Sequence, residues 1–179
     1  MNSTVSQAEE ALPELHLVLD RPQFSNTLVK TEQYTSTLAE GGQLLVAVAN
    51  STVYALRGST VLACAGAVVY AKRGAKVTAF KDSCVVAENG SNVIACGGSR
   101  VIVQRGANVE PQSGAFLEID FGAMVTVPSG IVAVATPGSR VHALAGAVVH
   151  ALSGAEVTSE PGALTSHQSQ DSVFMPISA

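Results

Sequence analysis

The chain has 179 residues, 47% hydrophobic, 4% aromatic and 13% charged, with ten Lys or Arg against fourteen Asp or Glu and a net charge of −4. That is enough apolar residue for a buried interior in one domain or one elongated array, and too little charge for a disordered polymer. Sixteen Gly without an every-third period exclude collagen, and no apolar run approaches the roughly 18 residues of a membrane helix.

In chain order, residues 1–11 are expected to be disordered. They run into Glu9, Glu10 and Glu14 where a signal peptide would have a basic start and an apolar run. Residues 12–49 are read as an amino-terminal capping segment. Its alternating Leu15, Leu17 and Leu19, and the apolar run 44–49, are suited to prolonging a first coil or folding over one face. From Asn50 a repeat takes over, reading NSTVYALR, GSTVLACA, GAVVYAKR and onward in blocks of eight without insertion or deletion through residue 169. Its consensus is G-[AS]-x-V-x-A-x-x. Slots two, four and six are small or apolar and slots three, five and seven vary, the period-two pattern of a half-buried strand. Gly holds the first slot from Gly58 to Gly162 except at Asp82, which suits a corner with positive φ. Residues 170–179 form a tail, polar apart from 173–177.

Strands this short must stack, so the blocks predict a β-solenoid. The outward slots three and five decide the number of blocks per turn. Alternate blocks give the mostly apolar set Val68/Tyr70, Cys84/Val86, Arg100/Ile102, Phe116/Glu118, Val132/Val134 and Val148/His150. The blocks between them give a mostly polar set, from Lys76/Thr78 to Glu156/Thr158. A contrast that alternates block by block predicts an all-β, two-sided spiral of about 16 residues per coil, with about seven coils along a rod of about 35 Å. Bulky sixth slots at Val103, Pro111, Ile119 and Val127 are expected to widen the coil, and Pro111 removes a ladder donor.

Blocks such as GSTVLACA, GSRVHALA and GSNVIACG resemble the octapeptide repeats of bacterial ice-nucleation proteins, and the wider group of octad β-solenoids of bacteria and phages. The resemblance covers residues 50–169 and implies the same two-octad coil. Ice-nucleation repeats carry Thr-x-Thr on an outer face. This chain has Thr60/Leu62, Lys76/Thr78, Asn92/Ile94 and Asn108/Glu110 there, which make no hydroxyl rank.

The functional expectation is therefore a non-enzymatic structural or interaction module. Val68, Tyr70, Val86, Ile102, Phe116, Val132, Val134 and Val148 would form an apolar face larger than a monomer usually exposes, fitted to a second copy, a protein partner or a covering by the segment before Asn50. Arg57, Arg73 and Arg105 share one edge with Asn89 and would form an anion-binding ladder. The basic half, 50–105, and the acidic half, 106–179, suit head-to-tail association, while overall acidity disfavours nucleic acid. An ice- or glycan-binding repetitive surface is the alternative, and an unrecognised β-helix enzyme the second. The carboxylates Glu118 and Asp120 are close enough for acid–base work, but short corners leave no cleft, and no catalytic or cofactor-binding residue is assigned. Cys64 and Cys96 fall in one column on either side of Phe80, too far apart for a disulfide, and three thiols fit a reducing compartment. His142 and His150 fall on opposite faces, so no metal site is assigned, nor is a small-molecule substrate. The expected location is cytoplasmic, or exported without a classical signal peptide.

Overall fold

The computed structural model describes residues 28–168, and within them every regular element is a β-strand. The first strands are β1 (Leu28–Lys30), β2 (Ser36–Ala39), β3 (Leu44–Ala47), β4 (Thr52–Ala55), β5 (Thr60–Ala63) and β6 (Val68–Ala71). Next come β7 (Lys76–Ala79), β8 (Cys84–Ala87), β9 (Asn92–Ala95), β10 (Arg100–Val103), β11 (Asn108–Pro111) and β12 (Phe116–Ile119). The last are β13 (Met124–Val127), β14 (Val132–Ala135), β15 (Arg140–Ala143), β16 (Val148–Ala151), β17 (Glu156–Ser159) and β18 (Leu164–His167). All pairings are parallel between residues sixteen apart, as in Val69 opposite Val85 and Val85 opposite Val101. Two octads thus make one coil, and eighteen strands make nine coils.

The count exceeds the expected seven because the spiral begins before Asn50. Strands β1 to β3 lie in register with β3 to β5, so residues 28–49 prolong the first coils and do not fold over a face. Residues 1–27 and 169–179, including the expected disordered start and the tail, lie outside the described residues.

Most corners close as a four-residue turn in which the second-slot amide donates to the seventh-slot carbonyl, as Ser59 N does to Leu56 O at 3.0 Å. The first slot carries the positive φ that a type II turn needs. Asn50 (60°) and Asp82 (61°) adopt it where glycine is missing, as does Tyr34 (60°). A serine in slot two closes the same turn again through its hydroxyl, as Ser59 Oγ does to Leu56 O at 2.7 Å. This is why slot two tolerates Ser as readily as Ala in a buried position. The inward slots four and six form one continuous core of Val, Ala, Leu and Ile between the walls, and each fully buried Val contributes about 2 kcal/mol.

The walls differ. Even-numbered strands form an unbroken nine-stranded sheet, whereas the odd wall is divided into β1–β11 and β13–β17. The division follows from two prolines. A seventh-slot amide donates to the sixth-slot carbonyl one coil back, as Gln112 N does to Ala95 O at 2.8 Å. Pro128 occupies that slot and has no hydrogen for Pro111 O. A sixth-slot amide donates forward to a fifth-slot carbonyl, as Thr31 N does to Val46 O at 3.0 Å. Pro111 cannot do so for Thr126. The flanking bonds, Met124 N to Ala107 O and Gly106 N to Gly122 O, are not formed, although Gly114 N to Gly130 O at 2.8 Å closes the opposite corner. Most Cα pairs between β11 and β13 lie beyond 8 Å, against about 4.8 Å between paired strands. The widening expected near the bulky sixth slots is thus a breach in one wall.

Candidate functional site

The alternation of the octad places outward side chains in columns along each wall. On the even wall one column runs Thr52, Val68, Cys84, Arg100, Phe116, Val132, Val148, Leu164 and its neighbour runs Tyr54, Tyr70, Val86, Ile102, Glu118, Val134, His150, Ser166. All eight residues of the expected apolar face therefore lie on one wall. None is fully buried, and Val132 is 37% exposed. Tyr54 extends the face and stacks on Tyr70, with ring centroids 5.1 Å apart and 12° between the planes. The columns are not uniformly apolar. Arg100 Nη2 donates to Glu118 Oε2 at 2.7 Å across the middle, and the guanidinium lies 5.8 Å from the Phe116 ring centroid. That pair divides the face into one patch around Tyr54, Tyr70, Val86 and Ile102 and another around Phe116, Val132, Val134 and Val148. The Glu118 hydrogen bond and charge raise the Arg100 pKa, so the guanidinium stays charged.

Arg57, Arg73, Asn89 and Arg105 share the column before the first-slot glycines, and all four are exposed. Their stems lean onto the next coil. A Cβ at Gly74 would meet Arg57 Cγ at 2.9 Å, and one at Gly90 would meet Arg73 Cγ at 2.9 Å. Glycine at these corners thus serves the turn and also the seating of the arginine above it. No ion pair engages Arg57, Arg73 or Arg105 among the described residues.

The breach opens beside Arg105. At its mouth lies a groove of about 410 Å³ lined by Arg105, Phe121, Gly122, Met124, Gly138, Arg140 and Glu156. Phe121 and Met124 are each 73% exposed, and Arg140 Nε donates to Glu156 Oε2 at 2.9 Å. Sequence reasoning passed over this place. Phe121 stands in the same column as the arginines, and Pro128 follows it by one strand, so a search for aromatic and proline slots together would have found it.

A second feature lies at the amino-terminal end of the odd wall. Leu44, Val46 and Leu62 occupy outward slots yet are buried, Leu62 at 0% exposure, in a cluster with Phe80, Cys64 and Cys96. The two cysteines flank Phe80 in one column, as their spacing predicts. Burial raises the Cys64 thiol pKa above its ordinary value, with Lys30 acting weakly the other way.

The remaining polar pairs are engaged locally. Glu118 is held by Arg100, and Asp120, in the corner after β12, accepts from Phe121 N at 2.8 Å, so the two carboxylates do not face a common point. His142 lies on β15 and His150 on β16, opposite walls, with Nδ1 3.0 Å from Thr158 Oγ1 and 2.7 Å from Ser166 Oγ respectively. Among the described residues no three His, Cys, Asp or Glu side chains gather in a way that could hold a metal ion, and no helix is long and apolar enough to cross a membrane.

No family model matches the chain, and no curated protein matches it. A similar solved structure is the TibC-catalyzed hyper-glycosylated TibA55-350 fragment, with a TM-score of 0.46 and 16% identity over 81% of this chain and 68% of that one.

Proposed function

We propose that the chain is a non-enzymatic structural and protein-interaction module, an octapeptide-repeat β-solenoid of the bacterial and phage kind that self-associates through the apolar face of its even wall. One observation carries this reading: eight Val, Ile, Tyr and Phe side chains in two adjacent columns, in patches on either side of the Arg100–Glu118 pair, stay part-exposed over the six even strands from β6 to β16 on a wall without a break. Apolar area on that scale marks an association surface more often than a monomer's free surface. The Tyr54–Tyr70 stack adds a flat, pre-ordered anchor of the type enriched at interface centres.

The exposed ladder Arg57, Arg73, Arg105 supports a second contact with an anionic surface, such as the acidic half of another copy. The short corners support the non-enzymatic reading. The absence of a hydroxyl rank on the polar wall ranks an ice- or glycan-binding surface below it. Half-buried thiols at Cys64, Cys84 and Cys96 support a reducing compartment, hence the cytoplasm, or export without a classical signal peptide.

The test is light scattering after size exclusion on the full chain and on Tyr70→Asp with Val134→Asp. Self-association through this face predicts a concentration-dependent mass that falls to that of the monomer in the double variant. An unchanged mass in a variant that keeps its β-sheet circular dichroism removes the face from consideration.

A further inference from the structure

The groove beside Phe121 brings together exposed apolar side chains and a cation without an acidic partner. Its outer ridge is the eighth-slot column, where Arg57, Arg73, Asn89 and Arg105 are followed by Phe121. A phenyl ring at 73% exposure in a column of polar side chains is held there by fit. A Cβ at Gly138 would meet Phe121 Cδ2 at 2.4 Å, so the ring rests on the first-slot backbone of the following coil. The opposite ridge is the third-slot column of the odd wall, with Met124, Arg140 and Glu156 in register. Met124 is 73% exposed as well.

Charge in the groove is unbalanced. Arg140 Nε donates to Glu156 Oε2 at 2.9 Å, which cancels one pair of charges. Arg105 takes part in no ion pair among the described residues, so two arginines and one glutamate leave the lining with one positive charge unmatched. The stem of Arg105 lies on Gly122, whose added Cβ would meet Arg105 Cδ at 3.3 Å. Its guanidinium therefore stands at the coil step that lacks its ladder. A second donor faces the same step. A third-slot amide ordinarily donates to the second-slot carbonyl one coil back, as Arg140 N does to Ala123 O at 2.9 Å, but Met124 N makes no such bond among the described residues.

We propose that this groove is a binding site for a small aromatic carboxylate, independently of the apolar face. The ring of the ligand lies between the phenyl of Phe121 and the thioether of Met124, both of which attract aromatic rings. Its carboxylate accepts from the Arg105 guanidinium and the Met124 amide, and the guanidinium bond is charge-assisted. A single unmatched positive charge favours a monoanion over a phosphate, whose second charge would be repelled by Glu156. Size agrees, since about 410 Å³ falls within the range of about 300–1,000 Å³ for small-molecule sites. Other corners of this column share the arginine but not the aromatic ring and the unbonded amide, so the site falls at one step of the spiral.

Titration of 2-naphthoate into the full chain, read by calorimetry and by amide resonances, tests this, with neutral 2-naphthamide and acetate as comparison compounds. The expected result is one site with a Kd below about 1 mM, about tenfold tighter for 2-naphthoate than for either comparison compound, and a shifted Met124 amide resonance. Arg105→Gln and Phe121→Ala, both at exposed positions, should each weaken binding about fivefold or more, whereas Arg57→Gln in the same column should not. Tyr70→Asp with Val134→Asp alters the other wall and should bind 2-naphthoate as the full chain does, so ligand binding and self-association are read separately. Binding weaker than about 1 mM, equal binding of the amide, or binding that survives Arg105→Gln combined with Phe121→Ala overturns the proposal.

Discussion

The two walls are spelled by the same octad, yet one is a continuous sheet of nine strands and the other is divided after β11. The inward residues do not explain the difference, since Val, Ala, Leu and Ile fill both sides of the core alike. What differs is a pair of imino acids. Pro111 and Pro128 occupy the sixth and seventh slots of successive coils, seventeen residues apart, so the step between those coils loses a forward and a backward bond together. Proline at both leaves a gap. The comparison teaches that in a stacked spiral, wall continuity is set by backbone donors, while side-chain alternation sets what each wall shows to its surroundings.

Three measurements would break or sharpen this comparison. The largest effect is expected from Leu117→Ala on β12, a fully buried side chain of the intact wall beside the breach. Removing it should lower the unfolding free energy by about 3 kcal/mol in urea titration. A loss below about 1 kcal/mol would mean that the core next to the gap is already free to collapse. Next, Pro111→Ala combined with Pro128→Ala returns two donors and should add about 1–3 kcal/mol, with new protection of the Met124 and Thr126 amides. If those amides still exchange freely, side-chain volume holds the wall open and the prolines are incidental.

The smallest effect concerns Cys64 in the buried cluster outside β3 and β5. Its folded pKa is raised by burial, so the folded chain favours the neutral thiol. The stabilisation this gives is present below the unfolded value and is lost as pH rises through the folded one. Alkylation of Cys64 should therefore be slower in the folded chain than in urea, with the two rates converging as pH climbs above the folded pKa. Equal rates at pH 8 would show the cluster to be open.

Much of the architecture was legible because the octad has a fixed phase. Slot position alone gives the strands, the turn at Asp82, the two-block coil and the column that unites Arg57, Arg73 and Arg105. The start of the spiral was less legible, because residues 28–49 carry Leu and Thr where the later blocks carry Val and Ala, and only Gly42 keeps the first-slot glycine. The lost donor at Pro111 could be read directly. The role of Pro128 could not, because its slot lies in a corner and its missing bond joins residues seventeen apart, a relation that exists only once the coils are in register. Likewise Arg100 and Glu118 sit eighteen apart, in different columns, and only stacking shows that they pair across the apolar face.

Tension applied along the rod would pass from coil to coil through the hydrogen bonds of the walls, which act in parallel at each step and in series over the length. At every other paired step both walls share the load. Between the coils of β11 and β13 it falls on the β10–β12–β14 side alone, with Gly114 N to Gly130 O at 2.8 Å as the nearest corner tie. The molecule thus contains its own fracture plane, and under force it should part there as a jaw whose hinge is the intact wall.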